Sequence, residues 1–361
     1  MKLPSLPSVN LNITLPPRLK RILIAAAYPS FYLFCLLVFA YLTFPYDRLK
    51  ERLLVEFEAP KPGKPSAQQH LEIDSIGPYW LSGLSFKGVR LISRRGPGPE
   101  GELPPSKLAI DEGHVRISLV QLLIGRKTVW FGGKVYGGAV DGWARVNSEG
   151  LVLEVGVENV DIGQIDALGD LVSGLPLTGT LKGKLAWVIP EQKLAKATGT
   201  AAFSIADLTA GDGKTKIAGK LALPKLSVGA FEFEAEAKEG TLKVEKLGTQ
   251  GQDLDLAGEG KIMLRDPFGD SNADLYLRFR FADGYKGKNE MTKSLFGAPG
   301  SSAPALFELA DPRIRTSKRP DGFYGWHMTG FMKDPRFEPS PTGGSASPSP
   351  GKVGAPRGVV N

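Results

Sequence analysis

The sequence predicts a mainly β protein carried on one transmembrane helix: an elongated antiparallel sheet, half-pipe or groove-like, with few short helices. Three observations predict it. Ile22–Phe44 is an apolar run without a charged residue. From about residue 67 the hydrophobic period changes to two and keeps that value through most of the chain. The alternating stretches are short and are separated by Gly, Asp and Lys turns, and the chain holds 44 Gly and 28 Pro, a composition suited to many strands joined tightly.

As a helix, Ile22–Phe44 would extend roughly 34 Å, enough for a hydrocarbon core of about 30 Å. A cleavable signal has a shorter apolar core and small residues at the cut. This run ends in bulky Tyr41, Leu42, Phe44 and Pro45, so it reads as a permanent anchor, with a kink expected at Pro29. Arg18, Lys20 and Arg21 precede it, and Arg48, Lys50 and Arg52 follow. Local charge therefore does not orient it; the short tail staying inside while the long domain is translocated does. The organisation expected is a cytoplasmic tail at 1–21, the span at 22–44, and an exit helix with linker at 45–66. A β-domain outside the cytoplasm follows at 67–336, then a disordered Pro/Gly/Ser-rich tail at 337–361.

The net charge of +7 is spread without a run of five basic residues, which speaks against a nucleic-acid partner. The single Cys35 lies within the anchor, so no intrachain disulfide can form and the β-domain must rely on its core. Cys35 itself reads as an inert apolar thiol rather than a lipidation site.

Leu49, Leu53 and Leu54 fall at helical spacing in Tyr46–Phe57, an amphipathic exit helix that Pro60–Pro65 ends. Strands are expected at Leu71–Ile76, at Leu84–Ile92 with a bulge at Gly88, and over Lys107–Ile117. Arg94–Pro105 is an exposed loop between them. Ser118–Leu123 reads as a helical turn stopped by Gly125 in a left-handed position. In GGKVYGGAVDG, the pairs Gly132–Gly133 and Gly137–Gly138 mark turns or close backbone approach. Leu151–Val160 alternates clearly; Asp161–Gly174 places Ile162, Ile165 and Leu168 on a helical face. Strands resume at Leu177–Ile189, Ala197–Ala210, Thr215–Leu223, Leu226–Ala237, Thr241–Gln250, Asp253–Leu264 and Ala273–Phe281, with a faint repeat between Thr178–Val188 and Thr198–Ile205. Tyr285–Ala303 is polar and loop-like, and Phe307–Ile314 with Gly322–Phe331 reads as a last strand pair.

The chain offers no catalytic, cofactor-binding or metal-binding set, and none is expected. His70, His114 and His327 stand in separate segments, and no Gly-rich phosphate loop or nucleophile elbow occurs. Asp253 and Asp255 read as a solvated strand face over Leu254 and Leu256. Trp80, Trp130, Trp143, Trp187 and Trp326 read as single strand aromatics packed in the core or at sheet edges.

The anchor, FPYDRLKERL after it, the LSGLSFKGVRLIS strand, the GGKVYGGAVDG block and DIGQIDALGDLVSGLPLTGTLKGKLAW together resemble the type II secretion system protein N family over roughly residues 22–265. More loosely they are similar to AsmA-like inner-membrane proteins. The resemblance implies a bitopic inner-membrane protein with a periplasmic β-domain, partnered by other secretion-system subunits and without enzyme activity. The looser one implies an apolar β-groove for phospholipid or another acyl-chain lipid. Neither supplies functional residues to carry over, and oligomeric state is left open.

Overall fold

The computed structural model describes residues 17–341 apart from 60–68, 94–96, 99–100, 103–104, 167, 169–174, 215, 218–220, 223, 302–303 and 311. The expected cytoplasmic tail before Pro17, the Pro60–Pro65 linker, most of the Arg94–Pro105 loop and the tail after residue 341 lie outside the described residues. The chain divides into two units, Met1–Leu49 and Lys50–Asn361.

In the first unit, α1 runs from Pro17 to Thr43. It begins five residues before the apolar run because Pro17 suits a first helical position, where its missing N–H costs nothing. It continues through Pro29 as one helix. Ala25–Thr43 is long and apolar enough to cross a membrane, and none of that window is buried. Such a surface of Phe31, Leu33, Phe34, Leu36 and Phe39 suits an apolar solvent rather than water. The α2 helix, Tyr46–Glu58, starts directly after Pro45 and buries none of its residues.

The second unit is built on one open sheet of fourteen antiparallel strands whose spatial order is the chain order throughout. They are β1 Gln69–Tyr79, β2 Gly83–Ser93, β3 Ser106–Ile117, β4 Lys127–Val135, β5 Gly138–Asn147, β6 Gly150–Asp161 and β7 Leu177–Pro190, with the short helix α3 Leu119–Leu123 between β3 and β4. Then follow β8 Thr198–Ala210, β9 Leu226–Lys238, β10 Thr241–Gln250, β11 Leu254–Met263, β12 Asn272–Phe281, β13 Tyr324–Phe331 and β14 Arg336–Pro339. At about 4.8 Å per strand such a sheet is roughly 60 Å wide. Turn chemistry explains the meander. Tyr136–Gly137 and Glu239–Gly240 both take positive φ in two-residue turns, the geometry that matches strand twist. Asn147 Oδ1 accepts from the N–H groups of Glu149 and Gly150 to close another.

Register makes the two faces unlike. Residues directly opposite one another share a face. One line of partners runs from Pro78 through Leu84, Val115, Phe131, Gly142, Val155 and Leu185 to Ala201. It continues through Ala235, Val244, Gly260, Leu275 and Met328 to Phe337, so it crosses all fourteen strands without a polar side chain. A parallel line through Val129, Ala144, Leu153, Trp187, Gly199, Ala237, Leu242, Ile262 and Ala273 is equally apolar. From β7 to β13 these lines form the buried core; each large aliphatic there contributes about 1.5–3 kcal/mol. From β1 to β6 the same face is half-buried, and its main contacts are with neighbouring strands. Phenylalanine rings on this face lie over glycines: a Cβ would stand 2.2 Å from the Phe86 ring at Gly113 and 2.2 Å from Phe203 at Gly183. The glycines are there to let the rings lie flat.

Several expectations need correcting. The register is the same on both sides of Gly88, so no residue is inserted; Gly88 takes φ +58°, and the Asp74 carboxylate fills the space a side chain there would need. Irregularities sit elsewhere: in β10 between Val244 and Gly248, and between Val157 and Val160 and between Ile205 and Leu208, where Asn159 and Asp207 adopt positive φ. These short polar residues tolerate that conformation and let the strands bend. Asp161–Gln164 makes a strand end and a 3₁₀ turn capped by Asp161; of the helical face expected up to Gly174, Asp166 and Leu168 are helical, and 167 and 169–174 lie outside the described residues. Among the described residues, Thr215–Leu223 contributes the small hairpin of Lys216–Ile217 with Leu221–Ala222, separate from the main sheet.

Phe307–Ile314 is helical, in α6 Leu306–Ala310 and α7 Pro312–Ser317, not a strand; short apolar runs do not separate the two states by period. The partners of β13 are β12 and β14 instead. Tyr285–Ala303 likewise holds α4 Asp283–Lys286 and α5 Glu290–Phe296, the latter opened by an Asn289–Thr292 capping box. These helices place Tyr285, Phe296 and Phe307 against Phe279, Phe281 and Tyr324, covering one end of the apolar face. The sheet ends at Pro339, so the expected boundary of the disordered tail at 337 falls inside β14.

Candidate functional site

The polar face carries the least expected arrangement. One line of partners joins Tyr79, Gly83, Arg116, Trp130, Trp143, Glu154 and Ala186 across β1–β7. Two tryptophans thus stand side by side on the face that faces away from the core, ring centroids 6.2 Å apart. Each has a guanidinium over it, Arg116 at 5.8 Å from the Trp130 ring and Arg145 at 5.1 Å from Trp143. Delocalised cations are attracted to the negative face of an indole.

The adjacent line on the same face is Gly77, Ser85, His114, Gly132, Asp141, Gly156 and Lys184. Its low relief leaves an open concavity of about 940 Å³ lined by Trp130, Trp143, Tyr79 and Trp80 among others. His114 lies along the Tyr79 ring at 4.2 Å and rests over Gly132, where a Cβ would come within 2.8 Å of the imidazole. Trp143 Nε1 donates to Glu154 at 3.2 Å, and Lys184 pairs with the same carboxylate at 2.6 Å. The Lys184 charge and hydrogen bond hold Glu154 below the usual carboxylate range.

The remaining residues singled out by sequence are dispersed. His70 sits between Glu58 and Glu72, and His327 stacks on Tyr276 and contacts Asp274 at 2.8 Å. Among the described residues no group of three His, Cys, Asp or Glu side chains is placed to hold a metal ion. Asp253 and Asp255 do not share a solvated face: Asp253 is largely buried and accepts from the Ser227 N–H at 2.8 Å, while Asp255 pairs with Arg280 at 2.7 Å. Trp187 and Trp326 belong to the apolar face, where both indole N–H groups are buried without a hydrogen-bond partner among the described residues. Trp80 lies in the β1–β2 turn, not in a strand, and is 71% exposed.

Comparisons of the chain with protein-family models, curated proteins and solved structures found no significant match. The functional reading therefore rests on the sequence and on this geometry.

Sequence reasoning missed the Trp130–Trp143 pair because it took each tryptophan singly. The signal was available: with a two-residue β4–β5 turn at Tyr136–Gly137, Trp130 and Trp143 are equidistant from the turn and must oppose each other.

Proposed function

We propose that this chain is a bitopic inner-membrane component of the type II protein secretion system, acting as a non-catalytic scaffold through a periplasmic β-domain. The observation that carries the reading is an apolar helix followed in the chain by fourteen strands in chain order, with no strand paired to either outer edge among the described residues. The outer edge of β1 is eleven residues long. An unpaired edge of that length is a template for strand addition by a partner. The N-terminus lies in the cytoplasm and the sheet in the periplasm. The test is crosslinking in the native membrane from residues along the β1 edge, with β10 as an internal control, followed by identification of the captured proteins. Secretion-system subunits captured from β1 and not β10 support the scaffold; their absence from β1 opposes it.

A second reading is favoured by a separate observation. The apolar line on β1–β6 is half-buried. Acyl chains laid along that strip would make the protein a lipid-binding or lipid-transfer protein of the AsmA-like type. Co-purifying phospholipid, lost when Val115 or Val155 is changed to Asp, distinguishes it from the scaffold.

A further inference from the structure

We propose that the polar face of β3–β7 is a binding trough for a neutral oligosaccharide laid across the Trp130–Trp143 pair. The inference uses a different surface from the β1 edge and the apolar face, and it stands whichever of those readings holds.

A tryptophan pair on a polar face, one ring exposed and the other half-buried, is the first point. Trp130 is 38% exposed in the middle of a strand, although an ample apolar face lies on the other side of the same sheet. A ring placed there serves the solvent side rather than the core, and the part of the Trp130 surface that Arg116 leaves uncovered is open to a ligand. Shape is the second. Gly156 keeps the floor low beside the rings, and the concavity of about 940 Å³ matches a ligand of several sugar units.

Charge decides the class. The trough is lined by three cations, Arg116, Lys182 and Lys184, and three carboxylates, Asp141, Glu154 and Glu158. A phosphate or an anionic headgroup calls for an excess of cations, which this balance does not supply. A polyol instead needs donors and acceptors together, and flat apolar C–H faces that stack on indole. Glu154 is engaged by Lys184 and Trp143, whereas Asp141, Glu158 and Lys182 have no hydrogen bond or ion pair among the described residues. Those three are free to meet sugar hydroxyls.

The test is isothermal titration of the full chain, in a detergent without a sugar headgroup, with chitohexaose, cellohexaose and maltohexaose. Saturable binding of at least one is expected. Trp143→Ala should weaken it about tenfold, as loss of one stacked ring predicts. Trp130→Phe, which keeps a ring, should lose less, and Asp141→Asn probes the hydroxyl contacts without touching the rings. Lys261→Ala, on the same face but at β11, should leave binding unchanged. Circular dichroism checks that each variant is folded. Absence of saturable binding by all three sugars overturns the proposal. So does binding that survives Trp143→Ala and Asp141→Asn, or binding only of a proline-rich peptide or of anionic vesicles at this face.

Discussion

Tyr324 on β13 donates a 2.5 Å hydrogen bond to Glu308 on α6, and Lys318 pairs with the same carboxylate at 2.6 Å. Glu308 is only 6% exposed, so this contact fastens the helical cover to the end of the sheet through a buried charge. Burial alone would raise the Glu308 pKa, but the hydrogen bonds from Lys318 and Tyr324 and the ammonium charge outweigh it and hold the carboxyl below its ordinary value. A depressed carboxylate stabilises the fold above its unfolded pKa and loses that contribution as pH falls through the folded one. Stability should therefore drop below about pH 4.5. Tyr324→Phe, which removes a hydrogen bond to a charged group, should cost on the order of 1.5–3 kcal/mol in urea unfolding at neutral pH.

The alkaline limb has the opposite sign. Burial, then the nearby Asp253 charge, pushes the Tyr285 phenol up to about 12, and burial with the Glu308 contact raises Tyr324 as well. A raised phenol pKa stabilises fully below the unfolded value of about 10 and is lost as pH climbs through the folded value. Thermal unfolding followed by tryptophan fluorescence should show the melting temperature falling between pH 10 and pH 12, and Tyr285→Phe should flatten that fall.

Alternation across the sheet makes a sharp comparison of neighbours. Leu242 and Ile262 are paired and buried, whereas Lys243 and Lys261, one residue along, pair on the other face. Leu242→Ala or Ile262→Ala should cost about 2–5 kcal/mol. Lys243→Ala or Lys261→Ala should stay within about 0.5 kcal/mol. Equal losses at both pairs would mean that the apolar line is not the core.

Gly137 and Gly240 share φ +76° but differ in surroundings: nothing lies within 4 Å of a Cβ at Gly137, while at Gly240 the Ala195 carbonyl oxygen is 2.1 Å away. Gly137→Ala should cost only the left-handed backbone penalty, about 1–2 kcal/mol. Gly240→Ala adds a backbone collision and should cost clearly more. Paired denaturant titrations measure the difference.

Much of this architecture is legible in the sequence, for physical reasons that can be named. Strands β9–β12 begin and end within a residue or two of the alternating segments Leu226–Ala237, Thr241–Gln250, Asp253–Leu264 and Ala273–Phe281, because a half-buried strand must alternate. The Leu119–Leu123 turn stops at a left-handed Gly125 as its composition requires. What was hidden depends on neighbours distant in sequence. Phe307 and Ile314 became helical because α6 and α7 pack on the β12–β13 aromatics, a contact no local period encodes. The bulges at Asn159 and Asp207 interrupt strands whose alternation looks regular. The polar-face trough needed the register of several strands at once, since only pairing brings Trp130, Trp143 and the glycine line together.

The central claim, a membrane-held scaffold of the secretion machine, is tested most directly by deleting the gene in the native host and measuring where type II substrates accumulate. The account predicts that they are retained in the periplasm, that the full chain restores their release, and that a chain lacking residues 1–44 does not. Unchanged release of those substrates from the deletion strain would contradict it.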